Sequence, residues 1–284
     1  MQERTVDTDG ARLAARVFDG PTPDAPTLVL HHGLASSQHI WDLMVPSLAK
    51  RFRVVTYDAR GHGESSKPSK GYDFAQITDD ARAVIRGTRA RRPIVIGHSW
   101  GAMVALELAA RHPQALRGFV LVDGGITRMR DSFPSWSAAR TELAPPKLAG
   151  MPLEEFRVSI PRFVGDAFEV TPEIEAIILS VMRVRADGTI APRLSHSDHF
   201  KILRAIWDQD PASLYPRVRA PGLAIFATGG DPAWDARRRA AVGALVGTGA
   251  PVRVTTIEGV HDVPLQHPRT LTRRISAFAR TAVG

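Results

Sequence analysis

The sequence predicts an α/β protein with a mostly parallel central sheet, helices on both faces and one inserted helical cap. Three observations carry this. Short apolar, β-branched runs recur along the chain, helical patterns separate them, and the alternation fails once, between 126 and 217. The 284 residues suffice for one such domain with an insertion.

In chain order, two alternating runs around Asp9-Gly10 have the pattern of an antiparallel hairpin on the sheet edge. TLVLHHG (27–33), RVVTYD (53–58), PIVIGHS (93–99), GFVLVDG (118–124), LAIFATG (223–229) and VRVTTIE (252–258) read as fully buried strands, because apolar residues fill both of their faces. Helical patterns occupy 37–51, 73–87, 102–112, 234–246 and 268–281. From Ile126 to Arg217 no strand ladder is expected; MPLEEFRVSIPRFV, EIEAIILSVMR and DHFKILRAIWDQ are helical and prolines are frequent. This divides the chain into a core, 1–125 with 218–284, and a cap, 126–217. The cap holds 12 Lys+Arg and 12 Asp+Glu, so the net charge of +8 belongs to the core.

The arginines are scattered, with no long basic block and no aromatic-interleaved basic helix, so a nucleic-acid partner is not expected. There are no cysteines, which excludes disulfides, thiolate catalysis and cysteine metal sites. The first residues, MQERTVDTDG, lack the apolar core of a signal peptide, and no run of 18 apolar residues occurs. A cytoplasmic protein, monomer or homodimer, with no membrane partner is the expectation.

VIGHSWG (95–101) joins a buried strand to a clean helix through a serine flanked by glycines at two-residue spacing. Such a turn exposes the serine hydroxyl above the sheet edge and at a helix N-terminus. A nucleophilic serine needs a base, an orienting acid and an oxyanion site. His261 directly follows the last strand, in IEGVHDVPLQHP, and is the candidate base. Asp231, in FATGGDPAWD, is the candidate acid; Asp123, ending VLVDGG, is its rival, ahead of Asp235 and Asp262. Backbone amides of Leu34 and Trp100 are the candidate oxyanion donors, and His32 is expected to brace the first of these loops.

LVLHHG (28–33), YDARGHGES (57–65), GHSWG (97–101), GGDP (229–232) and GVHDVPL (259–265) stand together in the order of the α/β-hydrolase superfamily, which the chain resembles over nearly its whole length. The resemblance implies Ser99 as nucleophile, His261 as base and Asp231 as acid, and makes Asp58, Arg60 and His62 scaffold residues; members with the acid one strand earlier keep Asp123 open. Within the superfamily the chain is similar to the capped branch of epoxide hydrolases, haloalkane dehalogenases, esterases, lactonases, proline iminopeptidases and carbon–carbon bond hydrolases. The first two carry an aspartate nucleophile, so Ser99 speaks against their chemistry.

The expected reaction is cleavage of an ester or lactone through an acyl-enzyme, without metal or organic cofactor. His196-Ser-Asp-His199 leads into a helix and lacks a matching ligand cluster. Met103, Met129, Phe133, Trp136, Phe163 and Trp207, with Leu34 and Trp100, are expected to line a pocket for a mostly apolar small molecule. Amide hydrolysis of the proline-iminopeptidase type, carbon–carbon hydrolysis, acyl transfer to an alcohol and a ligand receptor on the same fold are the alternatives.

Overall fold

The computed structural model describes residues 1–229 and 232–283. β1 (Gln2–Thr8) and β2 (Ala11–Phe18) form the expected antiparallel hairpin, and β2 pairs antiparallel with β4 (Arg53–Tyr57). From there every pairing is parallel, through β3 (Thr27–His31), β5 (Ile94–His98), β6 (Gly118–Val122), β9 (Gly222–Thr228) and β10 (Val252–Glu258). The spatial order is β1-β2-β4-β3-β5-β6-β9-β10.

The two-residue period of a strand sends neighbouring side chains to opposite layers. Val29, Val95 and Leu121 pack with Ile77 and Val84 of α2 (Phe74–Gly87) and with Val104 and Leu108 of α3 (Trp100–Arg111). Leu30, Ile96 and Val120 pack on the other side with Leu271 and Ile275 of α10 (Pro268–Val283). The central strands are therefore apolar throughout. β10 departs from the expected burial: it is an edge strand, and only Ile257 of its seven residues is buried. The helical pattern of 37–51 also shortens, to a 3₁₀ turn at Gln38–Trp41 and α1 (Val45–Leu48), because Pro46 cannot donate within a continuous helix.

Between β6 and β9 lie α4 (Trp136–Glu142), α5 (Leu153–Val164), α6 (Pro172–Leu179) and α7 (His196–Asp208). Here the structure adds a hairpin that the sequence reading omits, β7 (Met182–Val184) with β8 (Ile190–Pro192). Three-residue strands are too short to show a period, and the signal was the Asp187-Gly188 turn between them. Met182 and Ile190 join Leu148, Phe156 and Ile160 in a small separate core. Among the described residues, no helix is long and apolar enough to cross a membrane.

Candidate active site

Ser99 stands where β5 gives way to α3, with φ 56° and ψ −119°. For a residue other than glycine this conformation costs about 1–3 kcal/mol, so the surrounding packing must impose it. Its amide is tied to the Val122 carbonyl at 2.8 Å. A side chain at Gly97 would run into the Gly101 carbonyl, and one at Gly124 would meet the Ser99 carbonyl. Those two glycines let three chain segments close around the serine.

Strand register decides which carboxylate reaches it. His98 pairs with Val122, so the next residues, Ser99 and Asp123, leave adjacent strands side by side at the carboxyl edge. Asp123 also has a positive φ, 46°, and its side chain is fully buried. Its Oδ1 accepts the Ala227 amide at 2.9 Å, and its Oδ2 accepts His261 Nδ1–H at 2.6 Å and Arg238 Nη2–H at 3.0 Å. With Nδ1–H given to Asp123, His261 Nε2 carries the lone pair and lies 2.8 Å from Ser99 Oγ.

Among the described residues, the bond to His261 Nδ1 that the sequence assigns to Asp231 is made by its rival, Asp123. Asp231 lies outside the described residues, and the single proton on Nδ1 goes to Asp123. β6 adjoins β5 directly, which sets Asp123 beside Ser99.

Burial pushes the Asp123 carboxyl up, but the hydrogen bond and charge of His261, the Arg238 guanidinium and the Ala227 amide outweigh it and hold it below the ordinary carboxylate value. At His261 the packing around the ring opposes protonation; the Asp123 bond and charge, joined by Asp262, reverse this and set it above the ordinary 6.5. The His261 side chain is nevertheless 53% exposed, open to the cavity mouth. His98 Nε2–H donates to the His261 carbonyl at 2.9 Å and so ties the His261 loop to the serine turn.

Behind the site, buried histidines hold the loop that carries Leu34. His32 donates Nδ1–H to Gly33 O at 2.7 Å and accepts the Ala59 amide at 3.0 Å. His62 donates to Arg60 O at 2.9 Å and accepts the Ala35 amide at 3.2 Å. Asp58 takes the amides of Gln38 and Glu64, and Arg60 is paired with Asp80 at 2.5 Å, both partners buried.

Burial lowers the pKa of His31 to about 3 and of His98 to about 4, and lowers those of His32 and His62. The folded state holds these rings neutral, while the unfolded chain protonates them near 6.5. Stability is therefore full above that pH and falls on acidification, by up to about 1.4 kcal/mol per pH unit for each such histidine. Urea unfolding midpoints should drop steeply from pH 7 to pH 5, with only a small opposite change above pH 7 as the raised His261 loses its proton.

A cavity of about 610 Å³ opens above Ser99. Leu34, Trp100, Met103, Met129 and Phe133 border it as expected from the sequence. Among the described residues, the amides of Leu34 and Trp100 have no acceptor, and both residues border the cavity.

Three expected residues do not border it. Trp136 and Trp207 face each other, ring centroids 6.0 Å apart, with Arg204 over the first and Arg130 over the second. Phe163 is 60% exposed beside Phe156, because α5 turns Phe156 and Ile160 into the small cap core instead. The wall they were to form is supplied by Leu203 and Ile206 of α7 and by Trp234 and Arg238 of α8 (Pro232–Gly247). Trp234 and Arg238 are four residues apart, hence on one helix face; that spacing was the readable signal. His199 also borders the cavity, its Nε2 donating to Leu143 O at 3.2 Å, and among the described residues no group of three or more candidate ligands could hold a metal ion.

This sheet order, with a serine turn after β5 and a histidine after the last strand, defines an α/β-hydrolase-fold protein. Residues 26–153 match the family model described as alpha/beta hydrolase fold. The chain has the α/β-hydrolase fold that its sequence predicts. The crystal structure of E-2-(acetamidomethylene)succinate hydrolase resembles it with a TM-score of 0.81 and 22% identity, covering 98% of each chain. The enol-lactonase from Burkholderia xenovorans LB400 resembles it with a TM-score of 0.73 and 22% identity, over 97% of this chain and 99% of that one. In sequence, "Probable oxidoreductase EphD" of Mycobacterium tuberculosis (strain ATCC 25618 / H37Rv) is 45% identical over 115 residues, 39% of this chain and 19% of that protein. Epoxide hydrolase A of the same organism is 36% identical over 113 residues, 39% of this chain and 34% of that protein. The matched segment thus spans about a fifth to a third of the length of these curated relatives.

Proposed function

We propose that the protein is a serine hydrolase that cleaves an ester or lactone in a small to medium, mostly apolar molecule. One observation carries the reading: the continuous Asp123–His261–Ser99 chain, with bonds of 2.6 and 2.8 Å, at the mouth of a largely apolar cavity. His261 Nε2 takes the Ser99 proton as Oγ attacks the carbonyl carbon. The resulting oxyanion is held by the Leu34 and Trp100 amides, and collapse expels the alcohol, which receives that proton from His261. Water, deprotonated by His261, then releases the acid and restores Ser99.

Epoxide opening does not suit this site, although epoxide hydrolases are among the relatives. Attack by a serine oxygen on an epoxide would leave an ether on Ser99. An ether has no carbonyl for water to attack, so the cycle would stop after one turnover. A carbonyl substrate avoids that dead end, and the structural likeness to an enol-lactonase supports the same reading.

Side-by-side turnover of p-nitrophenyl esters, lactones and aminoacyl anilides tests the substrate class. Esters or lactones should be consumed and anilides left intact; turnover of anilides alone contradicts the proposal. Because the base acts only when neutral and His261 is raised, kcat/KM should climb with pH through a value above 6.5.

A further inference from the structure

We infer that Arg238 is a positioning residue of this site: by sharing the Asp123 Oδ2 atom with His261, it limits how strongly that carboxylate draws a proton onto the imidazole. The inference deepens the serine-hydrolase reading and rests on it.

Among the described residues, the Asp123 carboxylate accepts from three donors in three places in the chain: the Ala227 amide at the end of β9, His261 in the loop after β10, and Arg238 on α8. Arg238 is itself anchored twice, with Nη1 donating to Ala227 O at 2.5 Å and Nη2 to Asp123 at 3.0 Å. Its side chain is 21% exposed and borders the cavity, whereas Asp123 has no exposed surface. A guanidinium half-buried against a fully buried carboxylate is screened far less than a surface pair. An oxygen shared between two cationic donors divides its negative charge between them, so the imidazolium gains less from Asp123 than it would from an unshared carboxylate.

Among the described residues, the other groups facing the pair do not replace this effect. On the serine turn, Ser99 is uncharged and burial keeps His98 neutral at working pH. Asp262, beside His261, favours the imidazolium, as Asp123 does. On α8, Asp235 accepts the Gly229 amide at 3.0 Å and lies 3.8 Å from Arg238 Nη1. Arg238 is the cation that opposes the two carboxylates at His261.

The sign follows directly. Removing the Arg238 charge frees Asp123 for His261, raises the pKa of the imidazole and moves the acid limb of the reaction to higher pH. The test is an NMR titration of the His261 ring in ¹⁵N-histidine-labelled wild type, Arg238→Gln and Arg238→Lys, paired with phosphonate labelling rates of each across pH. Arg238→Gln should raise the His261 pKa by about one unit and carry the labelling profile with it. Arg238→Lys should give a smaller rise, since one ammonium cannot reproduce the two-armed anchor. If Arg238→Gln does not fold, Arg238→Met, which also removes the charge, takes its place. An unchanged His261 titration in a folded variant that lacks the Arg238 charge overturns the inference, as does a rise in KM with no pKa change, which would make Arg238 a substrate contact. Failure of the serine reading is distinguishable: wild-type Ser99 would remain unlabelled while the His261 titration still reports on Arg238.

Discussion

Asp123→Asn should lower kcat/KM on an ester by about 10⁴-fold, while Asp231→Asn should stay close to wild type. The asparagine keeps the size of the side chain and can still accept the Ala227 amide, so the fold around it persists. It removes the negative charge that steadies the imidazolium, and its amide group can turn an N–H toward Nδ1. Nδ1 would then be the acceptor and Nε2 would carry the proton, the wrong tautomer for taking one from Ser99. A large loss in the Asp231 variant, with Asp123→Asn active, would return the acid to the loop after β9.

Ser99→Ala should reduce kcat by about 10⁶-fold and leave ligand binding nearly intact. Among the described residues, the hydroxyl bonds only to His261 Nε2, and the cavity wall is built from other side chains. Alanine at φ 56° bears the same backbone strain as serine, so stability should change little. Unchanged turnover in a folded Ser99→Ala protein would move the chemistry elsewhere. Binding without turnover in the wild type would favour the receptor alternative.

The fold was legible because β-branched apolar runs alternate with helical periods, and those signals are local. The same holds for Ser99 and His261, each placed by the strand just before it. The acid was not local. Asp123 and Asp231 both follow strands whose carboxyl ends reach the right edge, and only the β5–β6 register, with His98 opposite Val122, brings Asp123 beside the serine. Nothing in a single sequence states that register. The cap shows the same limit. Trp136, Trp207 and Phe163 are large and apolar, yet their faces are taken by each other, by arginines and by Phe156 rather than by the cavity. Arg238 sits in an arginine-rich helical stretch, where a residue with two fixed partners reads the same as its solvated neighbours.

Reaction of the folded wild-type protein with a fluorophosphonate, followed by mass spectrometry of the digested protein, tests whether Ser99 is the nucleophile. One phosphonyl adduct is expected, on Ser99, absent from Ser99→Ala and formed far more slowly in Asp123→Asn. An unlabelled wild type, or an adduct on any residue other than Ser99, would contradict it.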